Sequence, residues 1–288
     1  MYLGVRDVAQ FGILVGLMAI FADAAIAHGL FWHNDPYWTY WVTKTLLITT
    51  VFTISTAFFG IGIKQGLITT VIHTFVLEMY YDWFAPIGLP QEPQWLGNRD
   101  LWGVGFLAHY LAIFGGYAMA LWIWRRHRTE EHLAPSYAPG ERDPRGAAWF
   151  ALLGTVIILV LDGIITHGLL LRDFPGWTYF IQHLLLTFAF LYAWSAFVGF
   201  DTSGWLVGAV TLSLTWITYG MFVGPVGLPF EQPRYLGYEE LWGAAFPGAL
   251  LSSLVGLWIV LTLPKLREAV RTPVPALSLP PEMRERGA

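Results

Sequence analysis

The 288-residue chain contains no cysteine, which excludes disulfides, thiolate metal sites and iron–sulfur ligation. Any metal it binds has to be held by histidines and carboxylates. Charge is scarce too: Asp, Glu, Lys and Arg make up 12% of the residues, against roughly a quarter in an ordinary soluble domain. The net charge of −4 and pI near 6.0 leave no polybasic face, so nucleic acid is not expected as a partner. The chain also lacks His-x-x-His, Glu-x-x-His and His-Glu-x-x-His runs, and its loops carry no nucleotide or phosphate fingerprint.

What is present is apolar. Hydrophobic residues are 56% of the chain and the mean hydropathy is +0.53, which points to an all-α integral membrane protein whose first partner is the lipid bilayer. Aromatics reach 17%, with fifteen Trp. That is more than interfacial belts need, so some rings are expected to line the interior or a site for a small apolar substrate.

The chain also repeats itself. Asp23-Ala24-Ala25-Ile26-Ala27-His28-Gly29-Leu30 returns as Asp162-Gly163-Ile164-Ile165-Thr166-His167-Gly168-Leu169, an offset of 162 − 23 = 139. Pro36-Tyr37-Trp38-Thr39-Tyr40 returns as Pro175-Gly176-Trp177-Thr178-Tyr179, and Gly88-Leu89-Pro90 as Gly227-Leu228-Pro229. After one inserted residue, Asp100-Leu101-Trp102-Gly103 matches Glu240-Leu241-Trp242-Gly243. A duplication of this extent sets the folding unit.

Apolar stretches long enough to span a bilayer, about twenty residues each, run over 8–31, 37–60, 66–85, 101–124, 146–171, 176–199, 203–224 and 241–263. The expected architecture is eight transmembrane helices in two four-helix repeats, 1–124 and 146–271, joined by a cytoplasmic linker at 125–145 and followed by a Pro-rich tail at 272–288. The first stretch has features of a signal peptide, but its counterpart at 146–171 lies mid-chain, so both are read as spans. Arg6, Lys64, Arg125, Arg126, Arg128, Arg145, Lys265, Arg267 and Arg271 fall on one side. The positive-inside rule then puts both termini in the cytoplasm of a plasma or inner membrane. An even number of spans per repeat gives the two halves the same polarity, so the duplication is parallel. The outer loops, Pro86 to Asp100 and Pro225 to Glu240, are read as caps over the bundle mouth.

Ionisable residues inside spans are functional candidates because lipid penalises them. Asp23, Lys44, Glu78 and His109 form one layer about 10–13 Å below the outer ends of their helices at 1.5 Å per residue. His28 and Asp82 lie nearer the outer surface, and His73 nearer the midplane. Asp23 recurs as Asp162, whereas Lys44 is replaced by His183, which suggests an ion pair or proton relay of Asp23 with Lys44 and of Asp162 with His183. His73 and His167 extend this relay set. His73, Glu78, Asp82 and His109 are met in the second half by Leu212, Ile217, Met221 and Ala249. Only the first half carries the extra polar set.

Glu78 and Asp82, four apart, share one helix face. With His28 and His109 they make a candidate metal set suited to zinc, iron, manganese or copper, with Glu78, Asp82 and His109 as candidate catalytic groups. Asp23 and His28 are five apart, about 140° around an α-helix, so Asp23 is assigned to Lys44 and left out of the metal set. Haem between His28 and His167 is not favoured, because no attachment motif accompanies them. Three functions follow: a metal-dependent or redox membrane enzyme, a proton-coupled transporter or channel for a small solute, and an accessory subunit with membrane-protein partners.

Overall fold

The computed structural model describes residues 4–32, 38–84, 105–131, 143–170, 177–200, 204–223 and 241–271, and among them it is helical with no strand. The first half consists of α1 (Val5–Asp23), continued by a π-helical segment π1 (Ala24–Trp32), then α2 (Trp38–Phe59), α3 (Ile63–Phe84) and α4 (Phe106–Glu131). The second half consists of α5 (Pro144–Asp162), π2 (Gly163–Leu170), α6 (Trp177–Phe197), α7 (Gly204–Val223), a short π3 (Leu241–Ala245), α8 (Phe246–Thr262) and the short α9 (Pro264–Arg271). Residues 125–131 and 144–145, expected in the linker, belong to α4 and α5. The outer loops and the tail at 272–288 lie outside the described residues.

Six stretches are long and apolar enough to cross a membrane: Val5–Phe31, Tyr40–Phe59, Phe106–His127, Pro144–Leu170, Tyr179–Phe197 and Gly243–Thr262. The other two expected spans fall on α3, whose Ile63–Leu77 stretch is a shorter apolar helix, and on α7. These helices are apolar on their outward faces as well as inside, with Phe21, Ile72, Trp122, Trp149, Val160 and Trp258 all exposed. A helix that is apolar all round suits lipid, where the backbone has to satisfy its own hydrogen bonds.

Small residues set how closely the helices approach. Gly12 and Gly16 on α1 lie against Thr53 and Thr49 on α2, and Gly116 on α4 lies against the backbone of Met18 and Ala19. Helix α1 is therefore clasped between α2 and α4, while α3 packs on α4 and α2. In the second half α5 packs on α6 and α8, and α8 on α7. The halves meet through α1 and α2 against α5 and α6.

That interface is reciprocal. Arg6 Nε at the start of α1 donates to the Ala196 carbonyl at the end of α6, 3.1 Å, and Arg145 Nη2 at the start of α5 donates to the Phe58 carbonyl at the end of α2, 3.1 Å. The two arginines are 145 − 6 = 139 apart. Each guanidinium covers carbonyls that a helix C-terminus leaves unsatisfied. The turns after α2 and α6 also match, since Gly60 and Gly199 both adopt positive φ, 82° and 95°, a conformation that glycine adopts without penalty.

The contact between α1 and α4 yields a prediction. A methyl at position 116 meets backbone that cannot rotate away, whereas one at 115 meets open space. Gly116→Ala should destabilise the protein by about 1–3 kcal/mol, and Gly115→Ala should change it by less than about 0.5 kcal/mol. Thermal unfolding in detergent distinguishes the two, and equal effects would contradict this packing.

Candidate metal centre

Asp23 is the last residue of α1, and the chain then runs as a π-helix to Trp32. A π-helix bonds residue i to i+5, so residues five apart stand nearly above one another. His28 is thereby brought to Asp23, with Nε2 3.5 Å from Oδ2. The sequence expectation that these two side chains point apart is corrected here: it assumed the α-helical period, and the backbone departs from that period between the two residues. Asp162 and His167 repeat the arrangement around π2, with Nε2 3.6 Å from Oδ2.

Around Asp23 Oδ2 the bonding is dense. Lys44 Nζ on α2 is 2.7 Å away, and Tyr40 OH donates to the same oxygen at 3.1 Å. The Tyr40 oxygen in turn accepts from Lys44 Nζ at 2.6 Å and lies 2.8 Å from His28 Nε2. One O–H and two lone pairs are all that a tyrosine hydroxyl offers, so Tyr40 is saturated. Trp41 closes the edge, with its ring 5.3 Å from that of His28. Asp23 and Lys44 are 0% and 1% exposed, a depth at which both charges survive only as a pair.

Asp23 Oδ1 is different. It is buried without a hydrogen-bond partner among the described residues, and it faces His109 Nε2 on α4 at 4.0 Å. Asp23, His28 and His109 each place a ligand atom within 4.8 Å of the others, and all three are buried. Such a group can hold a metal ion. Two imidazoles and one carboxylate suit a first-row transition ion or zinc, with coordination positions left open.

The second half lacks this opening. Thr166 Oγ1, where the first half has Ala27, donates to Asp162 Oδ1 at 2.6 Å, and Tyr179 OH donates to Oδ2 at 2.9 Å. Gly248 on α8 leaves room for the threonine, since a Cβ there would meet its side chain. Ala108 stands at that position in the first half. His183 does not reach Asp162. Its imidazole is shorter than a lysine side chain, stacks on Tyr179 with centroids 3.9 Å apart, and hydrogen-bonds through Nδ1 to the Tyr179 carbonyl at 3.0 Å. The Asp162–His183 pair expected from the sequence is therefore replaced by an Asp162–Thr166–Tyr179 group.

The structure thus brings together Asp23, His28, Lys44 and His109 from the sequence set. The side chains of Glu78 and Asp82, on α3, lie outside the described residues. His73 is fully buried on α3 with its ring 5.9 Å from that of Phe52. His28 and His167 each sit beside the aspartate of their own half. Sequence reasoning missed Tyr40 altogether, although its recurrence as Tyr179, twelve residues after the histidine in both halves, was the available signal.

No protein-family model, curated protein or solved structure matches this chain.

The ion pair makes a testable demand. Lys44→Met leaves the Asp23 carboxylate without its cation and should cost about 3–5 kcal/mol. Adding Asp23→Asn should recover part of that loss, because the orphaned charge is then gone. Thermal unfolding of both variants in detergent checks this, and additive losses would contradict the pairing.

Proposed function

We propose that the chain is an eight-span membrane metalloprotein, built as two parallel four-helix repeats, that holds one divalent transition metal in its first repeat and acts as a metal-dependent or redox enzyme. The parallel architecture is supported by the reciprocal Arg6 and Arg145 contacts and by the matched glycine turns at Gly60 and Gly199. The faces holding Arg6, Arg145 and Lys64 are assigned to the cytoplasm on the positive-inside rule.

The observation that carries the metal reading is the contrast between the two aspartates. Asp162 Oδ1 is capped by Thr166 at 2.6 Å, whereas Asp23 Oδ1 is buried, uncapped and turned towards His109. Asp23 divides its work: Oδ2 neutralises Lys44, and Oδ1 joins His28 and His109 as a ligand. This division answers the repulsion that an ammonium group exerts on a nearby cation. Zinc, iron, manganese or copper would polarise a substrate or activate water at the open positions. Glu78 and Asp82 are the proposed bases, and the surrounding aromatic rings favour an apolar substrate.

A second reading draws on the unbroken Lys44–Tyr40–Asp23 hydrogen bonds with His28 attached. Such a chain suits a proton-coupled transporter.

Elemental analysis and zinc or cobalt titration of detergent-purified protein separate the two. Wild type should carry or take up one ion, and Asp23→Asn and His109→Ala should each lose roughly 10–100-fold in affinity. His167→Ala should leave uptake unchanged. The double substitution Ala27→Thr with Ala108→Gly, which transplants the second-half arrangement, should abolish uptake while the protein stays folded. Wild type that takes up no ion, or uptake indifferent to His109→Ala, ends the metal reading and leaves the proton reading.

A further inference from the structure

His73 presents an anomaly that the metal centre does not absorb. It is 0% exposed, and neither Nδ1 nor Nε2 has a hydrogen-bond partner among the described residues. A neutral imidazole carries one N–H donor and one lone pair, and leaving both unmet in a buried site calls for an ordered water or ion. Thr70 Oγ1, three residues earlier on the same helix, is likewise buried without a partner. Asp23 Oδ1 is a fourth such atom. Helix α3 packs on α2 and α4, which carry Lys44 and His109, and His73 is buried in that bundle with its ring beside that of Phe52 on α2.

A polar track continues from His73 towards the basic face. Thr69, four residues earlier and on the same face of α3, shares a hydrogen bond with Ser55 on α2. Beyond it, Tyr117 on α4 donates to the Gly62 carbonyl at 2.8 Å, next to exposed Lys64. Phe52 borders the track, its ring 5.9 Å from that of His73 and 5.4 Å from that of Tyr117. His73 is ten residues into α3, about 15 Å at 1.5 Å per residue, which places it near the middle of a hydrocarbon layer of about 30 Å. In the second half Leu212 stands where His73 does and is fully buried in the apolar core.

We propose that the first repeat contains a hydrated proton-entry path from the basic face to the Asp23 centre, with His73 as its relay. A proton arriving by water at one His73 nitrogen binds the lone pair there, and the proton on the other nitrogen leaves towards Asp23. The path rests on the proposed metal chemistry only for its destination: redox or hydrolytic turnover at the buried Asp23, His28 and His109 site consumes or releases protons, and this track carries them.

Two measurements on the full-length protein in detergent test it. In X-ray hydroxyl-radical footprinting, internal water labels the rings beside it, so Phe52 should oxidise roughly tenfold faster than Phe188, which is 1% exposed in the second-half core. His73→Leu, which copies Leu212, should bring Phe52 down to the Phe188 rate. In ¹⁵N-labelled protein diluted into D2O, the His73 ring N–H should exchange well before the Trp216 indole N–H, which is held by Thr187 at 3.0 Å in the second half. Phe52 labelled no faster than Phe188, or a His73 proton kept as long as that of Trp216, overturns the path. Metal content measured alongside separates the two ideas: labelled Phe52 in metal-free protein leaves the path standing and removes the metal from its end.

Discussion

A carboxylate placed within the depth of a bilayer governs this structure. Asp23 is 0% exposed, and an unpaired charge there costs several kcal/mol. The cost is met by one cation, Lys44, and one donor, Tyr40, both from α2. Helix α1 cannot shift against α2 without stripping Asp23 of both. The π-helical turn that follows Asp23 then decides what else the carboxylate meets, because the wider turn carries His28 round to it, and the tight approach of α4 at Gly116 brings His109.

The two halves solve the same electrostatic problem in different ways. In the second half the Asp162 carboxylate accepts from the hydroxyls of Thr166 and Tyr179, with His167 beside it. In the first half Lys44 takes one oxygen and leaves the other uncapped. The hydroxyl that Thr166 carries and Ala27 lacks, with Gly248 in place of Ala108 to make room for it, separates a satisfied carboxylate from one with an uncapped oxygen.

Much of the fold was legible in the residues. The apolar stretches fell on helices, and two pairs of residues 139 apart, Arg6 with Arg145 and Gly60 with Gly199, take like places at helix ends. The site was less legible, for physical reasons. Asp23 was separated from His28 because a 3.6-residue period was assumed where the backbone forms i to i+5 bonds; the identical Asp-to-His spacing in both halves was the clue. Tyr40 escaped because tyrosine is common in an aromatic-rich chain and nothing in the pattern distinguishes a buried hydroxyl from an interfacial one. His183 was paired with Asp162 on depth alone, and depth says nothing about side-chain reach or about a neighbouring ring that stacks on the imidazole.

The central claim is that Asp23, His28 and His109 share one metal ion. X-ray absorption at the zinc edge of zinc-loaded protein addresses it directly. The account requires two imidazoles, visible through their outer ring carbons, and a carboxylate oxygen at about 2.0–2.2 Å, with the imidazole scattering lost in the His28→Ala, His109→Ala double variant. Zinc surrounded by water oxygens alone, or a spectrum the double variant leaves unchanged, would contradict it.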